Sequence, residues 1–69
     1  MNLIITDDYL EFKNIEFEKG LKKAKLIATA YELRKYAINA KAIYVGKNVN
    51  EMVKMELKYL KGSGVNIHE

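Results

Sequence analysis

The chain contains no cysteine and a single histidine. That excludes a disulfide framework, a thiolate zinc site and any catalytic dyad built on a thiol or a second imidazole. His68 stands at the penultimate position, where chain ends fray, and is not expected to be catalytic. No run of about 18 apolar residues is present, so no membrane-spanning helix is expected. The opening Met1-Asn2-Leu3-Ile4-Ile5-Thr6-Asp7-Asp8 lacks the basic region and long apolar stretch of a signal peptide, and a cytoplasmic location is the expectation.

What is present points to one folded body. At 69 residues there is room for a single small domain, residues 1–69. Apolar residues make up 49% of the chain and charged ones 30%, too oily a balance for a disordered segment. With no covalent or metal staple, stability has to come from apolar packing or from association with another chain.

Asn2 to Thr6 is a short apolar run closed by the turn pair Asp7-Asp8, and Tyr9-Leu10-Glu11-Phe12 resumes with alternation. Ile15-Glu16-Phe17-Glu18 alternates again, so an antiparallel β-meander is expected over the first 18 residues. Gly20 punctuates, and Leu21 to about Ala40 predicts one long helix. Leu26, Ala30, Leu33 and Ala37 would form one apolar stripe on it. Ala24, Ile27, Tyr31 and Ile38 would form a second, with Lys23 and Arg34 between.

Ala42-Ile43-Tyr44-Val45 predicts a central strand closed by Gly46. Asn48, with Glu51 three residues on, resembles a capping box that opens a helix over 49–61, ended by Gly62-Ser63-Gly64. Val65-Asn66-Ile67 is a last short strand. A strand, a helix of this length and a strand make a parallel, right-handed crossover. The fold class predicted is α+β: an N-terminal antiparallel meander followed by α-β-α-β, with two helices on one face of a mixed sheet.

Charge is unevenly distributed. Residues 1–19 hold two basic and five acidic side chains, residues 20–41 six and one, and residues 42–69 four and three. Lys19, Lys22, Lys23 and Lys25 would crowd the first turns of the 21–40 helix, where the helix dipole disfavours them unless an anion docks there. Lys22, Lys23 and Lys25, together with Lys54, Lys58 and Lys61 and the loop residue Lys47, are candidates for a nucleic-acid or anion surface. That signal is low in specificity. Eleven of the twelve basic residues are Lys, leaving only Arg34 for bidentate contacts, and no RNA-binding aromatic motif or complete helix-turn-helix is evident.

Val45-Gly46-Lys47-Asn48 has the layout of a ligand loop after a parallel strand, yet it lacks the spacing of a phosphate-binding loop and is expected to be a plain turn with a cap. Asp7-Asp8 has no clustered co-ligands for a metal. No nucleophile–base pair, metal set or cofactor loop stands out, so neither an enzyme nor a cofactor is expected.

Glu56 is the informative residue of the second helix. Val49, Val53, Leu57 and Leu60 form its core stripe and Met52, Met55 and Tyr59 a second one, with Glu56 between them. It either pairs with Lys23 or Arg34 at the core edge, or rims an exposed apolar flank. Both helices thus carry more oily area than a covering role needs. The leading expectation is a non-enzymatic interaction module, a homo-oligomer or partner-binding domain. Its contacts would be Tyr31, Ile38, Met52, Met55 and Tyr59, with Arg34 and Glu56 fixing orientation. Its composition is similar to that of the accessory or regulatory proteins of phages and mobile elements. Nucleic-acid binding through the six lysines is the alternative.

Overall fold

The computed structural model describes residues 1–69. The chain runs β1 (Asn2–Ile5), α1 (Tyr9–Glu18), β2 (Lys25–Ile27), α2 (Ala30–Ala37), β3 (Ala42–Val45), α3 (Glu51–Leu60) and β4 (Ile67–His68). The strands form one sheet in the order β2-β1-β3-β4, and every neighbouring pair is parallel. No helix is long and apolar enough to cross a membrane.

The antiparallel meander and the mixed sheet are therefore corrected to a four-stranded, all-parallel sheet with three helices. Residues 9–18 are helical because Asp8 caps them: its backbone is extended and its side chain accepts from the Leu10 amide at 3.0 Å. The local alternation misleads because four residues are too few to separate a period of 2 from one of 3.6. In the helix, Phe12 turns inward while Tyr9, Leu10 and Phe17 remain exposed.

The single helix over 21–40 is likewise corrected. Gly20 and Lys23 adopt positive φ, 62° and 58°, so the chain leaves α1 and enters β2 instead of starting a new helix. Thr29 opens α2 with a reciprocal cap: its hydroxyl accepts from the Glu32 amide at 3.1 Å, and the Glu32 carboxylate reaches back to the Ala28 amide at 3.5 Å. Ala24 and Ile27 thus do not lie on a helix with Tyr31 and Ile38; Ile27 is a buried strand residue. The cap of α3 is Asn50 and not Asn48.

β1 is central and buried on both faces, which is why Leu3, Ile4 and Ile5 read as an unbroken apolar run. Leu3, Ile5, Ile27 and Ile43 join Leu33 and Ala37 of α2 and Val53 and Leu57 of α3 in one core cluster. Each of the Leu, Ile and Val side chains contributes about 1.5–3 kcal/mol on burial, and the Ala37 methyl less. Right-handed crossovers put α2 and α3 on this face and α1 on the other, so α1 covers its face alone. On that side Tyr44 and His68 stack at 4.8 Å between ring centroids, 11° from parallel.

Candidate functional site

In a sheet of this order, the crossovers diverge between β1 and β3, and the crevice beyond the carboxyl ends of those strands is where open α/β sheets take ligands. Here Glu11 of α1 fills it. Its carboxylate accepts from the Lys47 amide at 2.7 Å, from the Asn48 amide and side chain at 3.2 Å each, and from the buried Thr6 hydroxyl. Partial burial tends to raise the Glu11 pKa, but the hydrogen bonds from Thr6, Lys47 and Asn48 outweigh it and bring the group down to about 2.

Gly46 makes the approach possible. A β-carbon there would collide with the Glu11 carboxylate and come within 3.1 Å of the Ile5 carbonyl. The Val45-Gly46-Lys47-Asn48 loop, expected to be a plain turn, does point two amides at an anion, and the anion is the chain's own. The signal for Glu11 was Asp8 followed three residues later by an acid, the spacing of a helix start. Read as a strand residue, Glu11 had no role.

The second feature is the outer surface of the α2–α3 pair. At about 100° per residue, α2 turns Leu33 and Ala37 inward and carries Arg34, Ile38 and Tyr31 around its α3-facing flank. α3 turns Val53 and Leu57 inward and carries Glu56, Met52 and Tyr59 toward α2, with Met55 beyond them. The helices meet at the Arg34 Nη2 to Glu56 Oε1 ion pair, 2.9 Å long, with the Glu56 side chain 14% exposed and that of Arg34 70%. The hydrogen bond to Glu56 and then its charge hold the Arg34 guanidinium above its ordinary pKa.

Around this pair, Tyr31, Ile38, Met52, Met55 and Tyr59 are 70, 84, 67, 55 and 78% exposed. Of the two arrangements open for Glu56, elements of both occur: it pairs with Arg34 at the core edge, and it borders an exposed apolar flank. Lys23 is not its partner.

The six lysines considered for nucleic acid are divided. Lys22 and Lys23 lie in the connection before β2, and Lys25 is on β2 itself, where its ammonium sits 4.7 Å from the Tyr36 ring centroid. Lys54, Lys58 and Lys61 are on or just after α3, beside the opposite edge of the sheet. Lys19 caps the carboxyl end of α1, where the dipole favours a cation. The electrostatic misfit expected at the start of a 21–40 helix therefore does not arise, because no helix begins there.

The Asp7 carboxylate accepts from the Asn50 side-chain amide at 3.1 Å, and no group of three potential metal-ligating side chains occurs. Comparison with known protein families, with characterised proteins and with solved structures finds no match for this chain.

Proposed function

We propose that the protein is a non-catalytic interaction module of the cytoplasm that works by pairing with a second copy of itself through the α2–α3 face. The observation that carries this is the ring of Tyr31, Ile38, Met52, Met55 and Tyr59, each more than half exposed around the Arg34–Glu56 pair. Side chains of this size at such exposure present roughly 500–700 Å² of contact area. That overlaps the upper end of the roughly 300–600 Å² range for the largest apolar patch on an ordinary monomer and approaches the about 800 Å² per partner of a stable interface.

A second copy fits better than a strongly charged partner because the patch carries one cation and one anion side by side. Across a two-fold axis the patch meets a copy of itself, and because Arg34 and Glu56 already neutralise each other within each chain, no net charge opposes the pairing. Met supplies adaptable contact area, and Tyr a large, more rigid surface with a polar tip. The nucleic-acid alternative is weaker, since its lysines are divided between opposite edges of the sheet.

Sedimentation velocity at micromolar concentrations tests the reading. The wild type is expected to show a concentration-dependent dimer. Met55→Glu and Tyr59→Glu, each placing a charge in the patch without touching the core, are expected to sediment as monomers with unchanged circular dichroism. A wild type that stays monomeric into the millimolar range removes the proposal.

A further inference from the structure

We propose that the lysine-lined hollow between α3 and the carboxyl ends of β3 and β4 binds a phosphate monoester carrying a small apolar body. The hollow has a volume of about 260 Å³ and lies on the flank of α3 away from α2. It is thus separate from the self-pairing face, and the two ideas can fail independently.

Four ammonium-bearing side chains line it: Lys47 after β3, and Lys54, Lys58 and Lys61 along one flank of α3. Spacings of four and three residues keep the last three on one side of the helix. Lys47 and Lys58 have no carboxylate within 4.0 Å. Lys54 is paired only with the well-exposed Glu51, at 3.4 Å, a contact of little energetic weight. Lys61 holds the Glu69 carboxylate at 2.9 Å, so one oxyanion of the chain already sits in the hollow. Lys54 and Lys61 each stand beside a carboxylate, so Lys47 and Lys58 leave the hollow with a positive excess that an anionic ligand offsets.

The donor chemistry selects the ligand. Lysines are point charges approaching from several sides, with no arginine fork to grip a planar carboxylate. A phosphate monoester, with about −1.5 to −2 charge and three acceptor oxygens, satisfies several at once. The floor is aliphatic, made by Val45, Val49 and Leu57, and offers nothing to inorganic phosphate but suits an attached apolar or aromatic group. The volume is just under the about 300 Å³ at which drug-sized pockets begin, which limits that group to about one ring system.

The test is a titration followed by amide NMR shifts at low ionic strength, with a nucleoside monophosphate as probe and the bare nucleoside and inorganic phosphate beside it. Shifts are expected to concentrate at 45–49, 54–61 and 69, with the monophosphate binding more tightly than either fragment. The double variant Lys47→Ala with Lys58→Ala is expected to weaken binding about tenfold. Glu69→Gln, which removes the internal competitor, is expected to strengthen it. Lys22→Ala with Lys23→Ala removes the same number of charges at the far edge of the sheet and is expected to leave affinity within about twofold.

An oligonucleotide with and without a terminal phosphate separates two sources of the same chemistry. A phosphorylated strand that binds more tightly than both its unphosphorylated form and the free monophosphate assigns the site to a strand end, and a monophosphate that binds at least as tightly as the phosphorylated strand assigns it to a free ester. Equal losses in the near and far double variants, or shifts scattered over all lysines, would reduce the effect to general charge attraction and overturn the proposal. So would the absence of any shift.

Discussion

Glu11 is the residue through which α1 is tied to the rest of the molecule by polar contacts, reaching from the helix to the β3–α3 connection. Its folded pKa of about 2 lies below the ordinary 4.5. A depressed carboxylate contributes stability that is fully present above the unfolded value and is lost as pH falls through the folded one. The window is therefore about pH 4.5 down to 2. The contribution is about 1–2 kcal/mol, well under the full linkage value because water reaches and screens the group. Glu11→Gln is expected to be less stable than wild type at neutral pH, with the difference closing on acidification through that window in urea melts. A constant difference down to pH 2 would show that the charge is not what holds the contact. Gly46→Ala belongs to the same contact, since its methyl group would displace the carboxylate.

Among the elements, β3 was legible to the residue, because a four-residue apolar run closed by glycine has few other readings. α3 was legible within two residues at each end for a similar reason: its core stripe repeats over three turns. α1 and β2 were not legible. α1 is weakly amphipathic, with Phe12 its only buried residue, so its helical period leaves little trace in the sequence. β2 is three residues long and embedded in helix formers. The informative marks were the caps Asp8 and Thr29, each followed by a glutamate at the third position.

The third cap has a larger role than the others. Asn50 accepts from the Val53 amide at 3.1 Å and donates to the Ala28 carbonyl at 2.9 Å and the Asp7 carboxylate at 3.1 Å. It thus joins the connections that follow β1, β2 and β3. Thr29→Ala removes an ordinary cap and is expected to cost about 1 kcal/mol. Asn50→Ala is expected to cost about 2–3 kcal/mol, because it also leaves the half-buried carbonyl without its donor. Thermal or urea denaturation of the two variants compares them directly, and equal losses would mean that the cross-links carry no energy.

At the scale of the whole molecule, the sheet is covered unequally. On one face α2 and α3 contribute four side chains to the core cluster; on the other α1 contributes Phe12 and leaves Tyr9, Leu10 and Phe17 in water. Regional stability follows buried apolar area, so α1 belongs to the low-stability end of the fold. Native-state hydrogen exchange is expected to show α1 amides opening by local fluctuation, with little denaturant dependence, while β1, β3 and the inner amides of α2 and α3 exchange through global unfolding. Glu11→Gln is expected to raise exchange in α1 further than elsewhere, because the carboxylate is its polar tether to the β3–α3 connection. If α1 instead exchanged together with β1 in both proteins, Phe12 and the half-buried Ile15 would have to hold the helix, without the Glu11 tether in the variant, as firmly as four buried side chains hold the opposite pair. The burial pattern gives no physical source for that equality.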